Sequence, residues 1–240
     1  MSVHNGRVGE VILFSVVASS ALPLGALIAI WSPPPRAVTA ALLGFASGAL
    51  ITAVAFELFE KAFEHGGAWR SGAAFVGGAT AFVLVDSWLE RHMARQRERG
   101  GVVGLALLAA VTLDGVPENL AMGVALLEGS AVTLLVAIFA SNLPEAIVGA
   151  EKMRAEHSPR QIVAIWTATA VLLAIAVVLG YVLLEGIPHS SLSWPLGFAA
   201  GAVLASLADT LMPEAYSEGG PPVAYATALG FLLSFLIAAA

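Results

Sequence analysis

The sequence predicts an all-α, polytopic membrane protein: a single transmembrane domain over residues 1–240 with eight membrane-spanning helices. Three observations predict it. The chain is 58% hydrophobic and only 12% charged, with a mean hydropathy of +0.87, whereas soluble domains carry about 25% charged residues. Apolar stretches long enough to cross about 30 Å of hydrocarbon recur along the whole chain. A segment of the second stretch also returns in the seventh.

A spanning helix needs about 20 mostly apolar residues. That window gives spans near 10–31, 37–63, 71–90, 102–128, 130–153, 161–186, 193–216 and 222–240. The first is expected to be a retained helix. Its apolar run, Val11 to Trp31, exceeds the roughly 7–15 residues of a cleaved signal's core. Ser32-Pro33-Pro34-Pro35-Arg36 closes it, because prolines cannot continue a helix. The second and third spans are separated by the Gly66-Gly67 turn. The third ends on Asp86, Glu90 and Arg91, where snorkelling to the interface explains the charges. The fourth and fifth each contain Pro-Glu. Gly219-Gly220-Pro221-Pro222 separates the seventh from the eighth. Gly48, Gly77, Gly78, Gly197 and Gly201 read as sites of close helix packing.

Lys and Arg favour cytoplasmic loops. With both termini outside, the cytoplasmic loops hold Arg36, Arg91, Arg95, Arg97, Arg99, Lys152, Arg154 and Arg160, against Arg7, Lys61 and Arg70 outside. The expected location is therefore an integral one with both termini extracytoplasmic, in a bacterial inner membrane. No basic run is large enough for a nucleic-acid surface. The absence of cysteine removes thiolate ligands, disulfides and cysteine nucleophiles together.

Residues 45–67 and 198–220 align without a gap at an offset of 153, with nine identities in 23. Both begin Phe-Ala-x-Gly-Ala and end Gly-Gly. In the orientation above the second span runs outward and the seventh inward, so the copies are oppositely directed. Inverted repeats of this kind place a transporter's site at their interface, near mid-membrane.

Glu57, Asp114, Glu118, Glu145 and Asp209 lie well inside predicted spans. Each buried carboxylate costs about 2.5–3.5 kcal/mol on the insertion scale, so five cost on the order of 15 kcal/mol. No lysine or arginine is expected at that depth, which leaves protonation or cation binding. The strongest constellation is a matched pair, Asp114-Gly115-Val116-Pro117-Glu118-Asn119 and Ser141-Asn142-Leu143-Pro144-Glu145-Ala146, in register at an offset of 27. On a helix Asp114 shares a face with Glu118, and Ser141 with Glu145. Pro117 cannot donate to the Leu113 carbonyl, nor Pro144 to that of Ala140. Carboxylates, hydroxyl, amide and freed carbonyls together make a cation-coordinating set.

These residues resemble the ZIP (zinc/iron permease) family, which has His-Asn-x-Pro-Glu-Gly in its fourth helix and a His-x-x-Pro-Glu-type motif in its fifth. The likeness extends over nearly the whole chain, including Glu64-His65-Gly66-Gly67 and Met212-Pro213-Glu214-Ala215. The resemblance implies an eight-helix bundle arranged three, two and three. It implies transport of a divalent metal such as zinc, iron, manganese or cadmium toward the cytoplasm, without an enzymatic activity or resident cofactor. It also implies partners limited to the ion, the lipid bilayer and a second copy in a homodimer. Glu118 and Glu145 match the family's bridging carboxylates. Asp114 stands at the fourth-helix His position, Gly115 at the Asn position, Ser141 at the fifth-helix His or Gln, and Asn142 at a neighbouring polar ligand. Asp209 matches an acidic ligand of the seventh helix, and Glu57 adds a ligand from the second.

The departure lies in the histidines. His4, His65, His92, His157 and His189 all fall at helix ends or loops. An all-oxygen site suits Mn, Mg or Ca better than zinc, which favours nitrogen and sulfur. Glu60, Glu64 and His65 are explained by solvation at the outer interface, with a cation funnel as the alternative. Three rival readings stand beside transport: a metal-sensing or structural membrane protein, a proton-coupled carrier of small solutes, and an intramembrane enzyme. The last finds no His-Glu-x-x-His or Gly-x-Ser-x-Gly to rest on.

Overall fold

The computed structural model describes the backbone of residues 2–98, 103–129 and 131–239 and the side chains of residues 8–92, 112–129 and 131–239. The expected span limits at 102, 130 and 240 and the side chains of His4, Arg7, Arg95, Arg97 and Arg99 lie outside the described residues.

Helices account for nearly all of the described chain. α1 (Ser2–Trp31) ends at the triple proline. α2 (Arg36–Ala53) starts just after it and leads into a π-helical turn, Val54–Phe59. α3 (Glu60–Glu98) continues without interruption until Gly67, whose φ of 68° and ψ of 177° break it into two legs. That backbone is costly for any residue with a Cβ and free for glycine. The spans expected at 37–63 and 71–90 are thus two legs of one run, hinged at Gly67.

α4 (Val103–Ala125) and α5 (Val132–Met153) carry Pro117 and Pro144 in their interiors. α6 (Pro159–Leu184) begins with a capping box, in which the Ser158 hydroxyl accepts from the Gln161 amide and Gln161 Oε1 accepts from the Ser158 amide. α7 (His189–Ser206) passes through a second π-helical turn, Leu207–Leu211, into α8 (Met212–Gly219). α9 (Val223–Ala238) has 16 residues, fewer than the span expected at 222–240.

Among the described residues, five helical runs are long and apolar enough to cross a membrane: Val8–Trp31, Arg36–His92, Val132–Met153, Pro159–Leu184 and His189–Gly219. Their outward faces carry Leu13, Val76, Leu84 and Leu183, each more than half exposed, on a surface that water would not tolerate at this density. Trp31, Trp69, Trp88, Tyr216 and Tyr225 stand exposed toward helix ends, where amphipathic rings settle at membrane interfaces. The protein is membrane-integral in build.

Two apolar cores hold the helices together. The larger joins Leu43 and Leu50 of α2 to Leu58, Met122, Leu134 and Leu196. The smaller is built on Trp166 of α6, fully buried against Leu22, Ile147 and Leu173.

The repeated segments share a local irregularity and a packing mode. The two π-helical turns, Val54–Phe59 and Leu207–Leu211, begin at the same register of the repeat. α2 packs along α9, and α7 packs along α3; likewise α1 packs on α5 and α6 on α4. At Gly48 an added Cβ would fall on the Thr227 carbonyl of α9. At its counterpart Gly201 it would fall on the Phe75 carbonyl of α3. Backbones can approach this closely only across glycine. Gly78 and Gly197 also sit in close contacts, but Gly77, expected to do the same, faces open space.

Candidate metal centre

Helical spacing puts Asp114 and Glu118 on one face of α4, and tertiary packing sets that face against α5. Asp114, Glu118 and Glu145 are 8%, 4% and 9% exposed, and Asn119, Ser141 and Asn142 are fully buried. The three carboxylates are near enough to repel one another: Asp114 acts on Glu118, and both act on Glu145. Asp114 and Glu118 of α4 and Glu145 of α5 thus come close together, and Ser141 and Asn142 are buried within one turn of Glu145 on α5.

Hydroxyls meet the acids. Ser206, at the end of α7, donates from Oγ to Asp114 Oδ1 at 3.0 Å. Thr210, in the following π-helical turn, lies within hydrogen-bonding reach of the same carboxylate. The Ser141 hydroxyl donates to the Ile138 carbonyl at 3.0 Å and lies near the Glu118 carboxylate. Among the described residues, no lysine or arginine pairs with Asp114, Glu118 or Glu145. Lys152 is instead bound to Glu214 at 2.7 Å.

The amides are more telling. Neither Oδ1 nor Nδ2 of Asn142 has a hydrogen-bond partner in the protein. Asn119 donates to the Gly115 carbonyl at 2.8 Å, but its Oδ1 is likewise unpartnered. A buried amide left unsatisfied costs about 1–3 kcal/mol, and native proteins rarely keep one without a ligand, ion or water to complete it. Three carboxylates without a basic partner and two buried amides left open on the same pair of helices are oxygen donors of the kind hard divalent cations take.

The two outlying expectations fare differently. Glu57 is not part of this group: it pairs with Lys61 at 2.8 Å, one turn along its own helix. The expectation that no basic residue lies near the mid-span acids fails at this position. Glu57 and Lys61 line a separate cavity with Phe56, Glu60, Thr133 and Phe235. Asp209 is exposed and meets Asp86 side chain to side chain, and both act electrostatically on Asp114. Asp86 links α3 to the edge of the acidic group.

Ser206, Thr210 and Asp86 were absent from the sequence-based candidates. The first two flank Asp209 within one turn, but a serine or threonine in an apolar helix ordinarily bonds its own backbone, as Thr210 does with the Ser206 carbonyl at 2.8 Å. No linear pattern separates that habit from a contact across helices. Gly115, at the position where the ZIP motif has asparagine, faces α6. A Cβ there would meet the Leu173 side chain at 2.7 Å, so an apolar helix contact stands in place of that amide. Compared with known proteins, the sequence matches no family model and no curated protein.

Proposed function

We propose that the protein moves divalent metal cations across a membrane through the Asp114–Glu118–Glu145 centre. The observation that carries this reading is three buried carboxylates close enough to repel one another and without a lysine or arginine partner, on helices that also bury Asn142, whose amide has no protein partner. A divalent ion bound there would offset the burial of the acids and satisfy the amide oxygen at once. Asp114, Glu118, Glu145, Asn142 and the Ser141 hydroxyl supply the donors in this reading, with Ser206 and Thr210 orienting Asp114. Asp209 and Asp86 extend the acidic surface away from it. The donors are oxygens throughout, which favours manganese-like ions over zinc.

The architecture that goes with this function is eight spans, counting both legs of the run hinged at Gly67 and including α4 and α9. Three helices, a central pair and three more make up the bundle. The paired π-helical turns and the Gly48 and Gly201 contacts support an inverted repeat about α4 and α5. Both termini lie outside in this arrangement, and transport is inward. The likeness to the ZIP family agrees with it.

The test is uptake into proteoliposomes, together with calorimetric titration of Mn, Zn, Fe and Cd into purified protein. Glu118→Gln and Glu145→Gln each weaken binding and uptake strongly, whereas Glu90→Gln leaves both near wild type. Equal effects at all three positions would remove the centre. Binding without uptake would support a metal sensor, and solute-linked proton movement with no metal bound would support a proton-coupled carrier.

A further inference from the structure

A second group of metal-ligating side chains lies away from the carboxylate centre. His65 closes the first leg of α3, Glu128 follows α4, and His189 opens α7. Each stands within three residues of a glycine with positive φ, namely Gly67, Gly129 and Gly186, so three tight turns bring them together. Glu128 lies between the imidazoles: Oε2 is 2.7 Å from His65 Nε2, and Oε1 is 3.2 Å from His189 Nδ1. One ligand atom from each residue lies within 4.8 Å of the other two. The rings are 5.7 Å apart and inclined by 36°. The Glu128 and His65 side chains are 10% and 19% exposed, while His189 is 73% exposed.

We infer that His65, Glu128 and His189 form a binding site for a borderline divalent cation of the zinc class. Two imidazole nitrogens and one carboxylate are a donor set that zinc, cobalt and nickel accept and that magnesium and calcium do not prefer. Ligands at about 2.0–2.2 Å from a tetrahedral ion need only small side-chain rotations from these positions. Three protein ligands leave a fourth position open, and the exposed His189 turns that position toward the surface, so the ion exchanges with solution. Ten residues of α4 and its following turn separate Glu118 from Glu128, about 15 Å at helical rise. The site is therefore spatially distinct from the carboxylate centre and differs from it in chemistry. It stands on its own geometry whether or not that centre transports.

The experiment uses the untagged full chain in detergent, titrated with zinc by calorimetry and with cobalt by visible absorption. Wild type binds zinc at this site, and cobalt shows the intense absorption of low-coordinate, nitrogen-ligated metal. His189→Ala, at an exposed position that leaves the packing intact, lowers zinc affinity at the site at least tenfold and abolishes that absorption. His65→Ala does the same. Glu118→Gln with Glu145→Gln leaves both signals in place, so failure of the carboxylate centre is read separately. Unchanged zinc stoichiometry and unchanged cobalt absorption in His189→Ala would overturn the site and leave the trio a hydrogen-bonded clasp.

Discussion

Glu57 and Glu118 are both carboxylates inside apolar helical runs, and the protein treats them in opposite ways. Glu57 lies one turn from Lys61 and forms an ion pair at 2.8 Å beside a cavity. Glu118 is 4% exposed, faces two other acids and has a serine hydroxyl in reach. Glu214 resembles Glu57, since Lys152 neutralises it. At Glu57 and Glu214 the fold supplies a lysine. A buried carboxylate kept without one is what the proposed function assigns to a cation from outside the chain. Burial cost by itself would have removed such a group, and this separates the centre on α4 and α5 from the ionisable residues around it.

The contrast can be broken at several points. The largest effect is expected from Glu118→Gln combined with Glu145→Gln. Divalent-metal affinity falls by on the order of 100-fold or more, about 2.7 kcal/mol, as read by calorimetry. Chelator treatment comes next. Ligand present at about 100 times its Kd stabilises a fold by about 2.7 kcal/mol, so removing metal from wild type lowers its melting temperature by several degrees. The double variant shows no such drop. Asn142→Ala is smaller, with about a tenfold loss of affinity. Its metal-free stability changes little, because the amide has no protein partner to lose. Ser206→Ala removes the hydroxyl that orients Asp114 and lowers affinity about fivefold, in line with one hydrogen bond of about 1 kcal/mol. Glu57→Gln should leave metal binding unchanged and cost under about 1 kcal/mol of stability by thermal melting. A loss of binding there as large as at Glu118 would erase the distinction between the two kinds of acid.

Much of this was legible in the linear chain. Hydropathy marks where the apolar stretches lie, because lipid demands about 20 such residues per crossing, but it reads as two spans the single run hinged at Gly67. The Pro-Glu pair was visible because two prolines and two acids in register are costly in a membrane helix. The offset of 153 was visible as identity, and the matched π-helical turns give it physical form. All of these follow from local composition and periodicity, which act over one or two turns.

Tertiary structure decided the partners. Glu57 meets Lys61 four residues along its own helical run, whereas only packing sets Glu118 of α4 near Glu145 of α5. Ser206 lies 92 residues from the Asp114 it serves. His65, Glu128 and His189 come from three separate turns and read singly as interfacial residues. A side chain's chemistry is written locally, but the charge it meets depends on which helices pack together. That packing is set by the glycine contacts and the two apolar cores summed over the whole bundle.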